Sequence, residues 1–160
     1  MGNSNGFVNG PGISLLNFVK FLKKYHKCKI SVHTQLHCSE SLKSISVGNI
    51  KNITRVKRDI LDSDFVHFWS GSTDKVYQVM LFAKSKNKKI FFGPNLIDNV
   101  NKELEKRIIK EINPNKLFVV NNKIKTRSLE LYGLFESDVK ELIVGPDTEI
   151  WSPPCDYSDN

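Results

Sequence analysis

The run Asn9-Gly10-Pro11-Gly12, followed at once by apolar residues at helical spacing, has the composition of a phosphate cradle. Backbone N–H groups at a helix N-terminus attract anions, and glycine lets a ligand approach the backbone closely. Farther along, His67 and Trp69 lie in a short apolar run, "FVHFWS", followed by Gly71 and Ser72. An imidazole can orient a hydroxyl or take its proton, and an indole can stack on the apolar face of a sugar ring. Both have a plainer use, as a hydrogen-bonded strand histidine and a space-filling core ring. His33 and His37 flank the end of "ISVHT", but no carboxylate stands at a ligand-like spacing from them, so no metal site is expected. Cys28, Cys38 and Cys155 are odd in number and irregularly spaced, which argues against a disulfide framework or zinc and for a reducing compartment.

Apolar patterns of two kinds must position these groups. Ile13, Leu15, Leu16, Val19 and Leu22 recur at helical spacing ahead of the β-branched run "KISVHT", and "NITRVKRDILDSD" leads in the same way into "FVHFWS". The alternation continues through "DKVYQVMLFAKSKN", "KKIFFG", "DNVNKELEKRIIKEI", "KLFVVN", "IKTRSLELYG" and "ELIVG", with Gly and Pro at the junctions. Short, continuously apolar strands separated by helices imply an α/β fold: a doubly wound, mostly parallel sheet with helices on both faces.

Ligands of such sheets bind outside the carboxyl ends of the strands. The cleft candidates are therefore His67, Trp69, Ser70, Gly71, Ser72, Gly93, Asn95, Asn121, Asp147 and Thr148, with Asn9, Gly10 and Gly12 as the acceptor or phosphate loop. Turns and helix caps also call for Gly, Ser and Asn, so the list alone does not define a site. Residues 1–152 read as one domain, and 153–160, with its prolines and acidic residues, as the start of an interdomain linker or a C-terminal tail.

A chain of 160 residues with 39% hydrophobic and 10% aromatic residues can bury a real core. Its net charge of +7 attracts anions, among them nucleic acid, anionic lipid and phosphorylated substrates. No run is long enough to span a membrane and no signal peptide opens the chain, so a cytoplasmic protein is expected. The basic segment "KFLKKYHKCK" is either a solvated helix face or a peripheral contact with anionic headgroups. Nucleic acid is not expected as a partner, because the aromatics fall mostly in strands and helix faces read as buried.

The ordered set "NGPGISLLNFVKFL", "SDFVHFWSG", "KIFFGPN", "LFVVNNKIKTRSLELYG" and "ELIVGPDTEIWSPP" resembles the N-terminal, Rossmann-like half of the group-1 retaining glycosyltransferases of two-domain GT-B architecture. The likeness covers most of the chain. Its most specific part is "IVGPDTEIWSPP", similar to that family's Gly, Asp and Thr signature before the crossing to the second domain. The resemblance implies a domain that shapes the site for a carbohydrate or lipid-linked acceptor, with Gly10 and Gly12 near the phosphates. Transfer then awaits a donor-binding domain or chain. No cofactor is implied beyond the nucleotide-sugar donor, which that second domain would hold. The alternative is a non-catalytic α/β module that binds carbohydrate or protein.

The chain departs from the family pattern in two places. Where many members carry His-x-His, this chain has His67 and then Trp69, and where a buried first strand precedes the Gly-rich loop it has only "MGNSNGFV". The first strand is therefore expected to be missing or very short. Glu103 and Glu111 have the spacing of the family's acidic pair, but they stand among Lys102, Lys106, Arg107 and Lys110, as on a solvated helix face.

Overall fold

The computed structural model describes residues 10–34, 48–69, 73–95 and 102–142. Helix α1 spans Gly10–His26, and Gly10, Pro11 and Gly12 form its first turn rather than a loop ahead of it. Proline is tolerated there because the first amides of a helix have no intrahelical acceptor. A two-residue strand β1 (His33–Thr34) pairs in parallel with β2 (Gly48–Asn49). Of the strand expected over "KISVHT" only these last two residues pair, and β2 falls in a polar stretch without strand periodicity.

The remaining helices and strands alternate. Helix α2 (Ile53–Leu61) leads to β3 (Phe65–Phe68), α3 (Asp74–Ser85) to β4 (Lys89–Asn95), and α5 (Asn122–Tyr132) to β6 (Val139–Glu141). Between β4 and β5 (Lys116–Val119), helix α4 (Lys102–Arg107) widens into a π turn over Ile108–Ile112. Local chemistry marks the ends. Asn52, Thr73 and Asn121 cap α2, α3 and α5 by accepting the N–H of Arg55, Val76 and Ile124, and Gly133 closes α5 at φ 63°. Strand β6 starts two residues before the expected "ELIVG", because a 3₁₀ turn at Glu136–Asp138 delivers Val139 straight into the core.

Strands β3, β4, β5 and β6 lie side by side in that order, all parallel. Each crossover steps the same way across the sheet, and right-handed connections then place every linking helix on one face. The core bears this out: Val76, Met80 and Ala83 of α3 and Ile108, Ile109 and Ile112 of the π turn pack on Ile90, Phe92, Leu117, Val119 and Val139. Helix α2 adds Val56 and Ile60 to the same cluster. The α/β class and the parallel sheet agree with the sequence reading, but these strands contain no reversal of order, the mark of double winding. The expected missing first strand concerns residues 1–8, outside the described ones.

The opposite face carries Phe65, His67, Phe91 and Phe118 by alternation along the strands. Helix α1 reaches it through Phe18, whose ring lies 5.8 Å from that of His67 and 5.1 Å from that of Trp69. This cover is partial. Phe65 stays 45% exposed, where a parallel sheet buried on both faces would hide it.

Lysines fasten the amino edge of the sheet. Lys88 Nζ donates to the carbonyls of Leu61 at 2.7 Å and Ser63 at 2.6 Å, tying the entry of β3 to that of β4. Lys84 Nζ donates to the Glu111 carbonyl, and Lys116 Nζ to the Ser137 carbonyl at 2.7 Å.

The two faces should respond differently to truncation. Phe92→Ala, on the helix-covered face at 0% exposure, is expected to cost about 3–5 kcal/mol. Phe65→Ala is expected to cost about 1 kcal/mol or less. Urea unfolding of both variants checks the asymmetry, and equal losses would refute it.

Candidate functional site

The carboxyl ends of β3, β4 and β5 bring together His67, Trp69, Gly93, Asn95 and Asn121, which sequence alone could only list. His67 Nε2 donates to the Gly93 carbonyl at 2.7 Å. A carbonyl has no proton to give, so the proton sits on Nε2. The register between β4 and β5 slips between Phe92 and Asn95, and Gly93 sits inside the slip at φ 113°, a conformation that favours glycine. The irregularity lets a ring nitrogen from β3 take up a β4 carbonyl. Gly93 is thus required by the backbone, whatever ligand approaches it.

Aromatic rings enclose the imidazole. Trp69 lies 5.3 Å from it, Phe118 5.4 Å, Phe18 5.8 Å and Phe91 6.3 Å between ring centroids. Burial pushes its pKa below the ordinary value of 6.5, against a smaller opposite push from the bond to Gly93. His67 is therefore neutral at neutral pH, with its Nε2 proton engaged. It ties two strand ends together and is poorly placed to serve as a general base through that nitrogen. Trp69 packs on Phe18 at an interplanar angle of 30° and is half-buried, so one side of its indole is in protein contact.

The other candidates divide sharply. Asn121 Oδ1 accepts from Ile124 N at 2.9 Å as the cap of α5, and Asn95 closes β4 opposite Val119. Gly12 is buried in the first turn of α1. Asn9, Ser70, Gly71, Ser72, Asp147 and Thr148 lie outside the described residues, as does His37. Glu103 pairs with Lys106 at 3.2 Å, and Glu111 with Arg107 at 3.2 Å and with the Tyr77 hydroxyl, so both members of the acidic pair are engaged on their own helix and its neighbour.

Two polar pairs escaped the sequence reading. His33 Nε2 donates to Asp59 at 2.9 Å, supplying from α2 the carboxylate that no nearby spacing offered. The signal was present in the helix, since Asp59 stands three residues after buried Val56 and beside buried Ile60. Tyr132 donates to the buried Glu105 at 2.7 Å, and burial followed by this bond holds the phenol well above its usual range. Glu105 precedes Ile108 and Ile109 by one helical turn, which places it on the inward side. Among the described residues no three His, Cys, Asp or Glu side chains gather as a metal site.

Helix α1 leaves Phe21 and Tyr25 exposed, their rings 5.0 Å apart, with Lys24 Nζ 5.3 Å from the Tyr25 centroid. No helix among the described residues is long and apolar enough to cross a membrane. Comparisons of the chain with protein-family models, curated proteins and solved structures find no match.

The state of His67 can be read from stability. With a folded pKa below the unfolded 6.5, the unfolded chain binds more protons once pH falls through 6.5, so the native state loses stability there and keeps it above. His67→Gln retains a donor for Gly93 and cannot titrate. The native chain should lose stability between pH 7.5 and 5.5 faster than this variant, by at most about 1.4 kcal/mol per pH unit. Parallel curves in urea unfolding would place the imidazole in water instead.

Proposed function

We propose that this chain is the acceptor-side domain of a two-domain retaining glycosyltransferase of the group-1 type. The observation that carries the reading is the meeting of an indole, a glycine carbonyl and a helix N-terminus at the carboxyl ends of parallel strands. There Trp69 offers a ring to the apolar face of a sugar, and α5 offers its N-terminal amides beside Asn121. The sequence likeness and the parallel sheet flanked by helices support the same reading. That reading implies a doubly wound sheet. A donor-binding domain or chain holds the nucleotide sugar against the acceptor, since transfer depends on positioning both in one cleft. The exposed aromatics and lysines of α1 favour peripheral contact with anionic headgroups and a lipid-linked acceptor.

The commitment of His67 to Gly93 favours the second reading, a non-catalytic carbohydrate- or protein-binding module, because the described strand ends then contain no poised base. Activity separates the two. Under the first reading the isolated chain turns over no nucleotide sugar, yet gains turnover when a donor-binding domain is supplied. Turnover by the chain alone would refute the division of labour, and failure with every donor domain would leave the binding module.

The acceptor-domain reading and the carbohydrate-binding form of the second both place a sugar on Trp69. Trp69→Leu should weaken glycan binding by roughly 1 to 2 kcal/mol, the size of an aromatic contact. Intrinsic fluorescence titrated with candidate acceptor glycans checks this, with Trp151 remaining as reporter in the variant. A native chain whose signal responds to no glycan would refute the site.

A further inference from the structure

The sheet face turned away from the linking helices carries a pattern that the carbohydrate reading does not use. Of the four register pairs that cross it, three set a ring against a lysine, Phe65 opposite Lys89, Phe91 opposite Lys116 and Phe118 opposite Lys140, and the fourth sets His67 opposite Phe91. Because register partners project to the same side, rings and lysines form two adjoining diagonal rows across all four strands. The ring row is continuous, with centroids 5.4 Å apart from Phe65 to Phe91 and 6.0 Å from Phe91 to Phe118. Phe65, Lys89 and Lys140 are exposed, and Phe91 and Phe118 are half-buried. Lys116 is half-buried with one ammonium proton on the Ser137 carbonyl, whereas Lys89 and Lys140 are exposed, Lys140 within electrostatic reach of Glu136, and these two are the cations best placed for contact. The four strands hold one carboxylate, Glu141, and its pairing with buried Val119 assigns it to the other face.

We propose that this face binds single-stranded nucleic acid, with bases stacked along the Phe65, Phe91 and Phe118 row and phosphates beside Lys89 and Lys140. The face complements a single strand on two counts. Every base has a flat ring to lay on an aromatic side chain, and every nucleotide has a phosphate for a neighbouring lysine. A four-stranded sheet with aromatics on its open face is a known way of holding two or three unpaired bases. An apolar partner helix would match the rings but would desolvate both lysines without compensation. Aromatics buried in strands and helix faces argue against nucleic acid as a partner, and the exposure of Phe65 on a lysine-edged face removes that objection. The proposal shares Phe91 and Phe118 with the surround of His67 at the strand ends, while Phe65, Lys89 and Lys140 belong to it alone.

Fluorescence anisotropy with short labelled oligouridylate and oligothymidylate tests it, at low and at near-physiological salt. Saturable binding is expected, roughly tenfold weaker for Phe65→Ala, the loss of one stacked base, and retained in Phe65→Tyr. Lys89→Ala and Lys140→Ala should each lower the slope of log affinity against log salt by about 0.7, while Lys23→Ala/Lys24→Ala on α1 leaves it unchanged. Melting curves confirm that each variant folds. The proposal is overturned if neither strand binds at low salt, if Phe65→Ala binds as the native chain does, or if the salt slope follows the α1 lysines. It is equally overturned if phosphatidylserine vesicles displace the strand from the native chain but not from the α1 variant. Glycan binding should be unaffected by Phe65→Ala, so the two readings can fail separately.

Discussion

A parallel strand can be reached only by a crossover, and crossovers of one hand that always step the same way must stack their helices on a single side. The order β3, β4, β5, β6 therefore makes the two faces of this sheet unequal. One face receives α2, α3, the π turn and α5, and buries Phe92, Met80, Val119 and Val139 completely. The other receives Phe18 of α1 at one end and keeps phenylalanines and lysines elsewhere. The location of the core, the enclosure of His67 and the exposure of Phe65 follow from that asymmetry.

Within the covered face, polar groups are held in pairs. Glu105 is only 7% exposed and accepts from Tyr132, an arrangement that links α4 to α5 across the core edge. Tyr77 donates to Glu111, while the Arg107 guanidinium lies 4.3 Å from the Tyr77 ring and bonds the same carboxylate. A buried carboxylate without such a donor would destabilise the fold by more than its pair stabilises it, so these contacts specify how the helices sit. The bond between His67 and Gly93 does the same for the strand ends, and it explains why a histidine can occupy an aromatic interior.

The helices were legible wherever apolar spacing and caps agreed. Asn52, Thr73 and Asn121 each precede a periodic segment and each caps it, and Gly133 ends α5 as its position suggests. Strand β2 was not legible, since Gly48 and Asn49 have neither alternation nor β-branching. The π turn was hidden because Ile108, Ile109 and Ile112 suit an α-helix equally well. Of the candidate site, the gathering of His67, Trp69 and Gly93 followed from the rule that ligands meet parallel sheets at strand carboxyl ends. The partner of His67 did not, because a backbone carbonyl leaves no trace in residue type. Asp59 meets His33 across 26 positions, a separation at which spacing carries no information.

The lysines of the amino edge give the positive charge of this chain two distinct roles. Lys88 shares its ammonium between two carbonyls, and Lys84 and Lys116 each serve one. Their charge still contributes to the long-range positive field, which would draw any anion inward and speed encounter. Two of the three ammonium protons of Lys88, and one each of Lys84 and Lys116, are already committed to carbonyls, so these lysines have fewer donors left for an anion than an unbound ammonium has. For any anionic partner, association rate would then reflect the whole basic surface, and residence time chiefly the cations with the most donors still to give.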